Sequence, residues 1–142
     1  MDSDFMVFSA TGSLGREAAN ARFDHMMTFS REVRFGKQAI IEISTASPIG
    51  YVGADEFEFR GDSCFEFGYR LVRASRGLGY ATEASLAILN LASQAWQGEL
   101  FAFIDPANDA SRNVLVKLGF EFVERVAINS GAADLYSLLI DL

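Results

Sequence analysis

The chain has 142 residues, of which 50% are apolar and 13 are phenylalanine, enough to build the core of one domain spanning residues 1–142. Its formal net charge of −7 repels phosphate backbones, so nucleic acid is not an expected partner. No apolar run approaches the roughly 18 residues that a membrane span needs, so we expect no membrane partner and predict a cytoplasmic protein. With Cys64 and His25 as the single cysteine and histidine, no disulfide or metal site is implied.

Glycine and proline residues divide the chain into predicted helices and strands. Residues 13–34 are predicted to form a helix, with Ser13 as its N-cap and Gly36 just after its end. Two β-rich runs follow, Gln38–Ser44 and Ile49–Phe57, joined by a loop that contains proline.

A third β-rich run, Asp62–Val72, begins after a glycine turn and completes a predicted antiparallel meander. Its side chains alternate in period two, which places Phe65, Phe67 and Tyr69 on one face of the strand. Glu66 therefore lies on the face opposite these aromatic side chains.

The remaining elements alternate between helix and strand before a closing hairpin. In chain order they are a helix from Gly79 to about Trp96, a strand Glu99–Ile104, a helix Asp109–Leu118, and two strands, Phe120–Ala127 and Ala133–Asp141. The predicted order is thus a helix, three strands, a helix, a strand, a helix and two strands. This order indicates an α/β (α+β) fold.

A loop with two glycines, Arg76–Thr82, joins the third strand to the next helix. A strand, a glycine loop and a helix together suit a phosphate, because backbone N–H groups and the helix start attract an anion and Arg76 adds a cation. The spacing differs from that of nucleoside-triphosphate loops, and Thr82 replaces the third glycine of dinucleotide-binding loops. From the residues alone, the loop is either a pyrophosphate site or an ordinary turn.

Three segments resemble the GNAT superfamily of N-acetyltransferases, in particular its RimJ/RimL-like (ribosomal-protein N-terminal acetyltransferase-like) branch. Arg76–Ala81 matches the acetyl-CoA signature [Q/R]-x-x-G-x-[G/A], and Gly79–Ala84 is typical of the branch. Asp105–Phe120 matches the family pattern P-x-N-x-x-S…L-x-K-x-G-F almost completely. The third segment combines Ile49–Gly53 with Phe67–Tyr69, so the resemblance covers about residues 38–125 well.

The resemblance implies a GNAT fold, with a central mixed, mostly antiparallel sheet, splayed fourth and fifth strands, and helices on both faces. It also implies direct transfer of an acetyl group from acetyl-CoA to an amine acceptor, either a protein or peptide N-terminus or a small-molecule amine. Family members usually open with a strand and a helix for which this chain has no room, so we expect a shortened N-terminus. The alternative is a coenzyme-A-binding module or sensor that lacks a complete acceptor site.

By the same resemblance, backbone groups near the end of the family's fourth strand hold the pantetheine, and the glycine loop holds the pyrophosphate. The residues expected to bind the coenzyme are Leu71, Val72, Arg76, Gly77, Gly79, Tyr80, Ala81, Thr82 and Asn108. Glu66 is the candidate general base, or else a solvated strand residue. Ser111 matches the position proposed to protonate the departing thiolate, or else satisfies the first turn of its helix. Tyr80 and Tyr136 are alternative acids.

The first predicted strand also has a bearing on assembly. Its segment Ala39–Ile43 is apolar and carries a single charge, which favours pairing if the strand lies at a sheet edge. A second copy of the chain, related by a two-fold axis, could cover this edge, so we predict a homodimer. The alternative is that Met1–Thr11 folds back as the covering strand.

Overall fold

The structure is a computed structural model that describes residues 32–128 and 131–141. The predicted helix 13–34 lies outside these residues up to position 31, as do Met1–Thr11 and His25. The described residues contain, in chain order, β1 (Gln38–Glu42), β2 (Ser47–Phe59), β3 (Asp62–Leu71), a 3₁₀ turn (Arg73–Ser75), α1 (Tyr80–Ala95), β4 (Gly98–Ile104), α2 (Asp109–Lys117), β5 (Glu121–Ile128) and β6 (Gly131–Ile140). Neither of the described helices has the length and apolar character that crossing a membrane requires.

The six described strands form one sheet in the order β1-β2-β3-β4-β6-β5. Every neighbouring pair is antiparallel except β3 and β4, which run parallel. The parallel pair follows from the crossover through α1, because parallel neighbours need a long connection and antiparallel ones do not. The predicted α/β (α+β) fold with a mixed, mostly antiparallel sheet is confirmed.

The strand bounds differ from the predicted ones most clearly at β2. This strand begins at Ser47, two residues before the predicted start, and therefore contains Pro48. The register changes from Ile40 opposite Gly50 to Ile41 opposite Pro48, so one extra residue of β2 is accommodated there. A bulge is where a strand tolerates proline, which has no N–H to donate to the ladder.

The strands β3 and β4 pair over a short stretch and then part. Phe65 pairs with Leu100 and Glu66 with Phe101, whereas β3 runs on to Leu71 and β4 to Ile104. The resemblance predicts splayed fourth and fifth strands at this place, so the predicted splay is confirmed. Within the described residues, the gap leaves backbone groups at the end of β3 with no strand beside them on this side, and those groups face the site described below.

Both described helices pack on the same face of the sheet. One core cluster joins side chains from α1, α2 and the sheet, including Ile88, Leu89, Ala92, Leu115, Phe67, Leu100 and Tyr136. A second, smaller cluster of Phe103, Val126, Ala133 and Leu135 lies on the opposite face. Of the predicted helices on both faces, the described residues therefore contain those of one face.

Ser85 is the exception among the residues that α1 buries. Its side chain is fully enclosed, and its hydroxyl has no hydrogen-bond partner in the described part of the chain. We expect Ser85→Ala to raise the free energy of unfolding by about 1 kcal/mol, because an unsatisfied buried polar group costs about 1–3 kcal/mol and alanine favours a helix.

Urea denaturation measures this difference, and Ser93→Ala is the matched control in the same helix. The Ser93 hydroxyl donates to the Asn90 carbonyl oxygen at 2.8 Å near solvent, so its loss should change stability by less than about 0.5 kcal/mol. A Ser85→Ala variant less stable than the parent would mean that the buried hydroxyl is bonded.

Candidate functional site

A groove of about 340 Å³ opens between the end of β3, the loop that follows it, and the two helices. Its lining residues are Tyr69, Arg70, Leu71, Arg76, Gly77, Gly79, Tyr80, Ala81, Thr82, Asn108, Ala110, Ser111, Asn113, Val114 and Lys117. The groove thus brings together most of the residues predicted to bind a coenzyme, together with Ser111. Val72 and Glu66 are not among its lining residues.

The glycine loop has the backbone geometry of an anion site. Gly77 and Gly79 adopt φ values of 76° and 84°, in the left-handed region that glycine enters at little cost. Gly79 is the N-cap of α1, and no side chain within residues 32–128 and 131–141 caps the first turn of this helix. The N–H groups of that turn therefore remain available to a ligand, at the positive end of the helix dipole.

The charge of the groove is opposite in sign to that of the protein. The side chains of Arg76 and Lys117 supply cations to it, and no carboxylate lines it among the described residues, although the net charge is −7. Arg76 is held in place because its Nε donates to the Leu71 carbonyl oxygen at 3.0 Å. The groove therefore attracts anions where the protein as a whole repels them.

The end of β3 presents its backbone alternately to β2 and to the gap. The Val72 N–H donates to the Ile49 carbonyl oxygen at 2.8 Å, so it faces β2. Because antiparallel strands alternate between bonded and non-bonded positions, the N–H groups of Leu71 and Tyr69 face the gap. Leu71 thus offers the groove a backbone donor, whereas the Val72 N–H is already used.

Three polar side chains meet in the groove wall formed by β3 and α2. The Tyr69 hydroxyl lies 3.1 Å from Ser111 Oγ, and Asn108 Nδ2 donates to the same oxygen at 3.0 Å. Asn108 is also the N-cap of α2, since its Oδ1 accepts the Ser111 N–H at 3.1 Å. Asn108 thus caps α2 and lines the groove at the same time.

Tyr80 and Tyr136, the two alternative acids, lie in environments that suit proton donation in the groove less well. The Tyr80 hydroxyl donates to Glu42 Oε2 at 2.8 Å, and this hydrogen bond raises the pKa of Tyr80. A phenol already committed to a carboxylate is a poorer proton donor to a ligand. Tyr136 is buried at 4% exposure, its ring packs edge-on against Phe122, and it does not line the groove.

Glu66 occupies the last paired position before β3 and β4 separate. It pairs with Phe101 across the parallel ladder and with Asp55 across the antiparallel one. Strand alternation places it on the face of the sheet opposite Phe67 and the two helices. Its half-buried carboxylate thus lies beside the inner end of the gap, on the side away from the groove.

Cys64 lies two residues earlier on the same face of β3. Its thiol donates to the Phe57 carbonyl oxygen at 3.2 Å. Burial raises the pKa of the Cys64 thiol, and the nearby carboxylates of Glu66 and Asp62 raise it further. A protonated thiol is a weak nucleophile, so Cys64 has the character of a structural residue.

Sequence reasoning missed six lining residues, namely Tyr69, Arg70, Ala110, Asn113, Val114 and Lys117. The alternation of β3 places Tyr69 on its aromatic face, and the sequence analysis assigns it no role in the site. The signal that it carried was its hydroxyl, because a tyrosine that packs into a core usually finds a hydrogen-bond partner at its polar end. Lys117 is the lysine of the family pattern L-x-K-x-G-F, which was its signal, whereas Arg70 had none beyond its position before the glycine loop.

Comparison with known proteins gives a relative and several similar structures. The chain is 32% identical over 83 residues to the uncharacterized protein YkkB of Bacillus subtilis, a match covering 58% of this chain and 48% of YkkB. A GnaT-family acetyltransferase from Bordetella pertussis superposes with a TM-score of 0.77 at 21% identity, covering 95% of this chain and 84% of that one.

A phosphinothricin acetyltransferase from Sinorhizobium meliloti, solved in complex with acetyl-CoA, superposes with a TM-score of 0.72 at 16% identity. The match covers 92% of this chain and 72% of that one, and at this identity it shows a shared fold. A family model described as an acetyltransferase (GNAT) domain matches residues 1–121. Because this family model matches most of its length, the chain belongs to the GNAT acetyltransferase family.

Proposed function

We propose that the chain is an N-acetyltransferase that moves the acetyl group of acetyl-CoA directly onto a primary amine. The observation that carries the proposal is the groove, where the cations Arg76 and Lys117 and no carboxylate line a cavity among the described residues of a protein with net charge −7. Coenzyme A carries several phosphate groups, so its charge suits such a groove. The acceptor is a protein or peptide N-terminus or a small-molecule amine.

The loop geometry supports a binding mode for the coenzyme. The pyrophosphate lies against the N–H groups from Gly77 to Thr82, beside the Arg76 guanidinium. The pantetheine follows β3, where the Leu71 N–H faces the gap, and Asn108 contacts it from α2. Val72 contacts it through its side chain, because the Val72 N–H is bonded to β2. The acetyl-CoA complex of the Sinorhizobium enzyme, which shares the fold, supports the same ligand.

The gap between β3 and β4 supports the chemistry of direct transfer. A thioester lying along the end of β3 brings its carbonyl to the gap beside Leu71, and an amine approaches it from the opposite face of the sheet, the face that carries Glu66. Glu66 takes a proton from the amine as the general base, directly or through water. The Leu71 N–H stabilises the developing oxyanion, a contribution that is worth about 3 kcal/mol in comparable sites. Ser111 donates to the departing sulfur.

Four further features belong to the proposal. The segment Gly79–Ala84 supports the RimJ/RimL-like branch, and residues 1–142 form one domain. The location is cytoplasmic. The protein forms a homodimer through β1, one of the two outer strands of the described sheet, where Ile41 is 51% exposed and Ile43, just after the strand, is 96% exposed.

Ligand-induced stabilisation and turnover together test the proposed function. Acetyl-CoA at 100 times its Kd should stabilise the fold by about 2.7 kcal/mol and raise Tm by roughly 10 °C, because the ligand binds the folded state. ATP is the control ligand for this stabilisation. When a panel of amines and peptides is then added with acetyl-CoA, release of the coenzyme thiol should follow. No shift at millimolar acetyl-CoA would overturn the proposal. A shift without turnover on any amine would favour the alternative, a coenzyme-A-binding module or sensor.

A further inference from the structure

Tyr69 and Ser111 form a pair of hydroxyls in the groove wall. Tyr69 is on β3 and Ser111 on the first turn of α2, 42 positions further along the chain, yet their oxygens lie 3.1 Å apart. Both residues line the groove, and both are only partly exposed. The pair therefore joins the strand that faces the gap to the helix that carries the family's proposed proton donor.

Counting donors and acceptors around this pair shows that one of its two hydroxyl protons remains available to a ligand in the groove. Asn108 must donate through Nδ2 to Ser111 Oγ, because its Oδ1 already accepts the Ser111 N–H. The two hydroxyls have two protons between them, and their mutual hydrogen bond uses one. When Tyr69 donates to Ser111, the Ser111 proton is the one that remains for a ligand.

Acid strength identifies which hydroxyl is the source of that proton. An alkyl thiol has a pKa of about 8.5 and a phenol one of about 10, so a tyrosine can supply a proton to a departing thiolate, whereas an aliphatic alcohol is a much weaker acid. Burial raises the pKa of Tyr69, while its bond to Ser111 and the charge of Arg70 lower it, so the phenol is protonated at neutral pH. A serine by itself can hand a proton on but is poorly suited to supply one.

We infer that Tyr69 is the proton source for the leaving sulfur of the coenzyme and that Ser111 relays its proton. This inference rests on the proposed function. The amine nitrogen attacks the thioester carbon, the C–S bond breaks, and its electron pair goes to sulfur. The sulfur takes the Ser111 proton, Ser111 takes the Tyr69 proton, and solvent restores the phenol. The proton that the amine loses goes to Glu66.

Kinetics of three variants test the relay. Tyr69→Phe, Ser111→Ala and the double variant should each lower kcat about tenfold to a hundredfold, with the double variant no worse than Ser111→Ala. The Kd for coenzyme A should change less than about twofold. Ser93→Ala is the control, because this serine lies near solvent and does not line the groove, and its kcat should be unchanged. Additive losses from Tyr69→Phe and Ser111→Ala, or an unchanged kcat in Tyr69→Phe, would overturn the relay.

A second readout needs no acceptor amine. A hydroxyl that donates to the sulfur stabilises its thiolate form, so the pKa of the thiol of bound coenzyme A should rise in both Tyr69→Phe and Ser111→Ala. Recording the thiolate absorbance of bound coenzyme A as a function of pH measures this pKa. An unchanged thiol pKa with coenzyme bound would overturn the relay and leave the proposed function standing. A parent protein that does not bind coenzyme A would overturn both.

Discussion

Replacing Gly79 by valine is expected to lower the affinity for acetyl-CoA at least about 100-fold. The φ of 84° at this position is one that a β-branched residue rarely adopts, so the loop must change its course. N–H groups that face the pyrophosphate then turn away. Two lost hydrogen bonds to a charged group, at about 1.5 kcal/mol or more each, correspond to about two orders of magnitude in Kd. Isothermal titration with acetyl-CoA measures the change.

Gly61→Val separates lost binding from lost stability. Gly61, in the turn between β2 and β3, has the same φ of 84°, and an added Cβ meets nothing within 4 Å at either glycine. Valine should therefore cost both variants a similar amount of stability, about 1–3 kcal/mol. Only the Gly79 variant should lose the coenzyme. Equal affinities in the two folded variants would remove the phosphate role of the loop.

The strands and helices could be predicted because their signals are local. Glycine and proline mark most of their ends, and the alternation in β3 correctly placed Phe67 on the core face. Bounds shifted by one or two residues where pairing with a neighbour decided them, as at Pro48, which β2 includes because a bulge accommodates it. The parallel β3–β4 pair and its splay came from the family resemblance, since no local signal specifies which strands meet.

The same distinction holds for the site: residues that are neighbours in the sequence could be predicted, and contacts between distant elements could not. Residues Arg76–Thr82 are consecutive, so the sequence alone could indicate a phosphate loop, and most of them line the groove. The sequence alone could not predict the contacts that the fold makes between distant elements. The Tyr69 hydroxyl meets Ser111 only because the splay of β3 lets α2 approach, and the Tyr80 hydroxyl meets Glu42 only because α1 starts near the end of β1. These contacts decide which tyrosine remains a candidate acid.

Replacing Glu66 by glutamine is expected to lower kcat/KM for the amine about 10²- to 10⁴-fold near neutral pH, the range that general bases contribute. Glutamine keeps the size of the side chain at the inner end of the gap but accepts no proton. The coenzyme affinity should not change, because Glu66 does not line the coenzyme groove. The loss should become smaller as the pH rises toward the pKa of the acceptor amine, since more of the amine is then already neutral.

Glu58→Gln makes the same change of charge on the exposed surface of β2, away from the gap, and it should leave kcat/KM within about twofold. Stopped-flow detection of the released thiol, with each variant saturated in acetyl-CoA, compares the two directly. Thermal melts of both variants show whether the fold is kept. If Glu66→Gln keeps more than a third of the parent kcat/KM across the pH range, the proton leaves the amine by another path, and Glu66 is a solvated strand residue.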